Sequence, residues 1–111
     1  MKYIEERVKR DGLPLILFNG DTRKRSYENG VFISFSIKDN QEIHINVIES
    51  EIKGKGHGTE IMKEILQEFP DYDITLDAVE YAIEWYKSFG FKQMKPVDFS
   101  GCASMILKRG V

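Results

Sequence analysis

Val47-Ile48-Glu49-Ser50-Glu51-Ile52-Lys53-Gly54-Lys55-Gly56-His57-Gly58-Thr59-Glu60-Ile61-Met62 joins two different periodicities at three alternating glycines. Before it, Ile43, Ile45 and Val47 alternate with Glu42, His44 and Asn46, the period of a strand with one apolar face and one face polar enough to be a site. After it, Ile61, Ile65, Leu66 and Phe69 recur at helical spacing until Pro70. The stretch therefore predicts strand, glycine loop and helix in succession. Glycine lets the backbone take unusual dihedrals and approach a ligand closely. The first amides of a helix lack internal partners and carry the positive end of its dipole, so a pyrophosphate fits at this junction, with Lys53 and Lys55 adding charge.

Two familiar phosphate loops fail on spacing. The Walker pattern needs Gly-Lys followed by Ser or Thr, whereas Lys55 is followed by Gly56. The dinucleotide fingerprint needs Gly-x-Gly-x-x-Gly after a first strand, whereas Gly54, Gly56 and Gly58 alternate strictly and come after several strands. A glycine-rich turn that only permits tight packing is the plain alternative.

Working outward, Val31 to Ile37 reads as a strand with Val31, Ile33, Phe35 and Ile37 on one face, and Lys38-Asp39-Asn40 as a hairpin turn. Ile74-Thr75-Leu76 reads as a short strand and Val79 to Phe89 as a helix stopped by Gly90. Phe91 and Ala103 to Lys108 supply two more strand candidates. The order predicts a mixed α/β (α+β) sheet with two main helices. Residues 1–30 carry the weakest signals. Leu15-Ile16-Leu17-Phe18 resembles a buried strand between a Gly12 turn and Asn19-Gly20-Asp21, and Arg23-Lys24-Arg25 reads as a solvated loop.

The second informative stretch is Ala82-Ile83-Glu84-Trp85-Tyr86-Lys87-Ser88-Phe89-Gly90-Phe91, about thirty residues after the first. Together the two resemble the GNAT superfamily of N-acetyltransferases. Lys53-x-x-Gly56-x-Gly58 is similar to its acetyl-CoA motif, Arg/Gln-x-x-Gly-x-Gly/Ala, with lysine at the first position. Ala82 to Phe91 looks like its Ala-x-x-x-Tyr-x-x-x-Gly-Phe motif, and Met105 to Arg109 is similar to its last strand. The resemblance covers roughly residues 31–109 and leaves 1–30 as a variable N-terminal part of one domain. It implies a twisted, mostly antiparallel GNAT sheet and direct transfer of acetyl from CoA to an amine.

It also implies roles. Val47, Ile48 and Glu49 would border the thioester, with amides near Ile48 and Glu49 facing its carbonyl where the strand bends. Lys53, Gly54, Lys55, Gly56, His57, Gly58 and Thr59 would hold the cofactor, His57 touching phosphate or solvent. Tyr86 would be the acid beside the leaving sulfur; as a plain residue it is a core aromatic. A departing thiol of pKa about 8.5 benefits from such an acid, and an attacking amine of pKa about 10.4 needs a base. His44 stands where arylalkylamine-type members carry a histidine, and Glu42 where they carry another. Histidine titrates near neutrality, which suits that work, although His44 is equally read as an ordinary polar residue of a half-exposed sheet. Cys102 has no activating base beside it in the pattern, which disfavours an acetyl-enzyme route.

The chain departs from the family at two places. Val79 stands where many members place an Asn that contacts the CoA arm. Residues 1–30 lack the two helices that wall the acceptor site, so the acceptor side is expected to be short, open or completed by a partner such as a second copy. A non-catalytic CoA-binding or protein-interaction module with the same fold is the alternative function. The acceptor itself, a small amine or a protein lysine, is not written in the pattern.

The 111 residues carry 16 Lys plus Arg against 18 Asp plus Glu, a net charge of −2 with 41% hydrophobic residues, which predicts one globular domain rather than two. This near-neutral balance argues against a large nucleic-acid surface. One cysteine and two histidines give no zinc-ligand spacing, so no metal is expected. No apolar run approaches a membrane span, and Met1 to Glu6 lacks the pattern of a secretory signal, so a cytoplasmic location is expected.

Overall fold

A computed structural model of the chain describes residues 1–8 and 21–109. Among the described residues, seven strands form one sheet in the order β1-β2-β3-β4-β5-β7-β6. They are β1 (Tyr3–Val8), β2 (Asp21–Tyr27), β3 (Val31–Lys38), β4 (Glu42–Ser50), β5 (Asp73–Val79), β6 (Lys92–Gln93) and β7 (Cys102–Leu107). Every neighbouring pair is antiparallel except β4 and β5, which run parallel and are joined by the crossover helix α1 (His57–Glu68). A second, short helix, α2 (Ile83–Lys87), comes after a 3-10 turn at Glu80–Ala82. This is the mixed sheet with two helices that the patterns predict.

Both helices cover the same face. Ile61, Met62 and Ile65 of α1 and Ile83 and Tyr86 of α2 join one core with Ile33, Phe35, Ile43, Ile45, Ile74, Leu76, Ala78, Ala103 and Met105 from the sheet. Each fully buried isoleucine contributes about 1.5–3 kcal/mol of transfer free energy, which is why the alternating rows of β3, β4 and β5 fix the sheet against α1. The residues between them, including Ser36, His44, Thr75 and Ser104, line the opposite, helix-free face. There Thr22 Oγ1 and Ser36 Oγ share a 2.8 Å hydrogen bond, and Asn46 Nδ2 donates to Ser36 Oγ at 3.2 Å.

Three local readings change. Arg23-Lys24-Arg25 lies within β2 rather than in a solvated loop, and Arg25 is 1% exposed. Its guanidinium makes a bidentate pair with Glu68 (2.8 and 2.7 Å), a 2.8 Å bond to Glu5 and a 3.3 Å bond to Tyr27 Oη, beneath the Tyr3 ring at 4.3 Å. Three consecutive basic residues mask an alternation in which only the middle one faces outward. The predicted helix over Val79 to Phe89 is shorter, because β5 continues to Val79 in register with Cys102 and the α-helix begins only at Ile83. The third change is in β4: the ladder passes from Phe35↔Ile45 directly to Ser34↔Val47, so Asn46 is an extra, bulged residue. Past the bulge the inward position falls to Ile48, paired with buried Ile33, and not to Val47.

The other elements stand close to their predicted bounds. The glycine loop leads into α1, which ends at Glu68 before Phe69-Pro70, and the last strand covers Cys102–Leu107. Phe91 is a buried core residue immediately before β6. The strand expected at Leu15 to Phe18, with the Gly12 and Asn19-Gly20 turns beside it, lies outside the described residues. No helix among the described residues is long and apolar enough to cross a membrane.

Candidate active site

The loop between β4 and α1 is shaped for an anion. Gly54 and Gly56 have φ of 78° and 75°, left-handed values that a side chain resists, and a Cβ at either would meet nothing within 4 Å. Gly56 caps α1 without any side-chain hydrogen bond, and the helix's own bonding starts with Glu60 N donating to Gly56 O at 3.1 Å. Among the described residues, the amides of His57, Gly58 and Thr59 find no acceptor and form an unsatisfied first turn, beside the exposed Lys53 and Lys55. His57 Nδ1 donates to the Asn29 carbonyl oxygen at 3.1 Å, so its ring ties the loop exit to the β2–β3 turn instead of standing free in solvent.

These glycines separate in a stability measurement. Gly56→Ala is expected to cost about 1–2 kcal/mol through backbone strain alone. Gly58→Ala is expected to be neutral or stabilising by up to about 1 kcal/mol, because its φ is not left-handed and a Cβ would sit 3.7 Å from the Trp85 ring. Urea denaturation of the two variants checks the contrast.

The second element of the site is a gap in the sheet. The β4–β5 ladder holds four pairs, Glu42↔Asp73 to Ile45↔Leu76, and stops at the Asn46 bulge, although β4 continues to Ser50 and β5 to Val79. Among the described residues, the main-chain groups of Val47, Ile48 and Glu49 that face β5 are in no ladder with it, an arrangement an extended, amide-bearing ligand can complete. The bulge and the end of the ladder both lie just before Ile48 and Glu49, where the strand is expected to bend. Two adjacent apolar residues, Val47-Ile48, after a strict alternation are the bulge's one sign in the sequence.

His44 lies on the helix-free face, one residue before the end of the paired segment, with Nδ1 and Thr75 Oγ1 2.9 Å apart. With Nδ1 donating to the Thr75 hydroxyl oxygen, Nε2 is the unprotonated nitrogen that can take a proton. Glu42 stands two residues earlier on the same face, paired with Lys38 at 3.3 Å. Tyr86 belongs to the other face: 9% exposed, it packs edge-on against Trp85 and Phe91 with centroids 4.9 and 5.8 Å away. Burial, with a smaller electrostatic contribution from Tyr81, pushes its hydroxyl above the ordinary tyrosine range, so it stays protonated at neutral pH. The structure thus groups His44 with Glu42 and places Tyr86 across the sheet from them. Among the described residues no group of three or more His, Cys, Asp or Glu is arranged to hold a metal ion.

Tyr27 is likewise pushed up by burial, against the opposing pull of Arg25. Both tyrosines therefore contribute stability that is complete below the unfolded-state pKa near 10 and is lost as pH rises through their higher folded values. Tyrosinate absorbance is expected to show Tyr27 and Tyr86 ionising late, together with a fall in thermal stability above about pH 10.

Among known proteins, the sequence matches the family described as "Acetyltransferase (GNAT) domain" over residues 21–103, about three quarters of the chain. No curated protein matches it in sequence. Three solved structures are similar in fold. Escherichia coli ElaA is 21% identical, with a TM-score of 0.64 over 80% of this chain and 68% of that one. A Bacillus subtilis acetyltransferase in complex with CoA is 12% identical, with a TM-score of 0.57 over 96% of this chain and 99% of that one. A GNAT family acetyltransferase from Elizabethkingia anophelis with acetyl-CoA bound is 16% identical, with a TM-score of 0.57 over 94% of each chain.

Proposed function

Because this chain belongs to the GNAT acetyltransferase family, we propose that it transfers an acetyl group from acetyl-CoA to an amine by direct attack. The observation that carries the reading is the end of the β4–β5 ladder beside the Asn46 bulge, upstream of the uncapped, glycine-led end of α1. An anionic group at the loop and an extended amide arm in the gap would be held by one ligand of the shape of CoA. Its pyrophosphate would meet the amides of His57, Gly58 and Thr59, with Lys53 and Lys55 adding charge. Its pantetheine arm would bond to the free edge of β4 at Val47 to Glu49, as a strand would. Neither role needs the Asn that Val79 replaces, and Val79 itself is exposed at the end of β5.

The gap also explains how groups on opposite faces of a sheet serve one bond. A thioester lying between β4 and β5 is reached from the helix-free face by His44 and from the helix face by Tyr86. His44, closer to the opening than Glu42, takes the proton of the attacking ammonium through Nε2, directly or through a water. The amine attacks the carbonyl, whose developing charge is met by β4 amides past the bulge. As the C–S bond breaks, the Tyr86 hydroxyl donates to the departing sulfur. Glu42, held by Lys38, sets the charge next to His44. The helix-free face, which has no wall among the described residues, is where the acceptor amine enters, and the whole chain works as one domain.

Thiol release from acetyl-CoA, measured against a panel of small amines and lysine peptides, tests the reading. CoA-dependent transfer to at least one amine is expected. CoA binding with background release across the panel would instead leave a CoA-binding module of the same fold.

A further inference from the structure

Trp85 is the only tryptophan of the chain and stands next to Tyr86 on α2, yet its indole reaches the other helix. Nε1 donates to Thr59 Oγ1 at 3.1 Å, and Cζ2 of the ring would lie 3.7 Å from a Cβ placed on Gly58. The same ring packs edge-on against Tyr86 and Phe89, with centroids 4.9 and 5.0 Å away. One rigid side chain therefore spans the first turn of α1 and the helix that carries Tyr86.

The hydrogen-bond chemistry has a direction. A threonine hydroxyl has one hydrogen and two lone pairs, whereas an indole N–H can only donate. Once Thr59 Oγ1 accepts from Trp85, its own hydrogen cannot lie along that bond and is available to another acceptor. Thr59 sits in the turn whose amides are unsatisfied, so an anion held there gains a hydroxyl donor that is already turned away from Trp85.

Resting on the reading of this loop as the CoA pyrophosphate site, we infer that Trp85 is a positioning residue for the cofactor. Through its bond to Thr59 it aims that hydroxyl at the phosphate and ties the place of Tyr86 to the occupied loop. Substitution at Trp85 thus reaches cofactor affinity through a residue that itself touches the ligand.

Calorimetric titration with CoA tests this on Trp85→Phe, Thr59→Val, Thr59→Ser and the double variant Trp85→Phe/Thr59→Val. Trp85→Phe keeps an aromatic ring and loses the N–H, and is expected to weaken CoA binding about three- to tenfold. KM for acetyl-CoA is expected to rise by the same factor while KM for the acceptor is unchanged. Thr59→Val is expected to weaken CoA at least as much, Thr59→Ser to restore it, and the double variant to bind no worse than Thr59→Val alone, since the two act through one bond. Unchanged CoA affinity in Trp85→Phe, or additive losses in the double variant, would overturn the inference. If Trp85→Phe does not fold, the Thr59 pair and the indole emission decide. An emission shift on adding CoA to the wild type, with rescue by serine, supports the inference; no shift at saturation, or serine behaving as valine, overturns it. Failure of the wild type to bind CoA at all would count against the proposed function instead.

Discussion

Tyr86→Phe is expected to lower kcat about a hundredfold or more, with KM for acetyl-CoA nearly unchanged. The substitution removes only an oxygen from a ring held by Trp85 and Phe91, so packing and the glycine loop are preserved. On the proposed mechanism the loss falls on the step in which negative charge forms on sulfur, which is the signature of an interaction made in the transition state. The sign of the pH effect comes from burial. With its pKa raised, Tyr86 is protonated throughout the neutral range, and the wild-type rate is expected to lose its acid only as pH rises above about 10. A kcat in Tyr86→Phe equal to that of the wild type would remove the assigned acid while leaving the fold and cofactor site untouched. Steady-state kinetics with saturating acetyl-CoA across pH make the measurement.

Arg25→Ala is expected to destabilise the domain by about 2–5 kcal/mol, through the cavity left by a buried side chain and the loss of its charge-assisted bonds to the partly exposed Glu5 and Glu68. Arg25 is 1% exposed and bonded to Glu68, Glu5 and Tyr27 at once, so alanine leaves both a cavity and a Tyr27 hydroxyl without this partner. Burial disfavours the charged guanidinium, but the bonds to Glu68 and Glu5 outweigh it and raise its pKa well above the ordinary arginine value. At this chain length the loss amounts to a fall of about 10–20 °C in Tm. Glu68→Gln, which keeps the shape but removes the partly exposed charge, is expected to cost less, about 1–3 kcal/mol. Thermal melts of the two variants, followed by circular dichroism, test the order.

The legible part of the molecule is the part whose residues obey one period at a time. Ile61 and Ile65 can only mark a helix face, Ile33 and Phe35 only a strand face, and the loop between β4 and α1 announces itself through Gly54, Gly56 and Gly58. Arg25 is misread because charge is the usual sign of solvent, and only the partners Glu5 and Glu68, 20 and 43 residues away, make its burial tolerable. Val47 falls on the wrong face because alternation presumes an unbroken ladder, and a bulge of one residue reverses every later position. The helix through Val79 is drawn too long since Val79 fits both periods, and its pairing with Cys102 decides for the strand. The bond from Trp85 to Thr59 joins positions 26 residues apart, which no local pattern encodes.

Asn46 divides the sheet into two leaves. Among the described residues, one leaf, β1 to β4, and the other, β5 with β7 and β6, are joined by the four residue pairs at which their ladder ends. If the chain works as the proposed acetyltransferase, the cofactor is the seam between them. A ligand bonded along β4 takes the place of the missing ladder, so the free protein is an unfinished sheet and its substrate the part that closes it. Chemistry and architecture then share one location, and each turnover that releases CoA reopens the sheet at the place where the next acetyl group must enter.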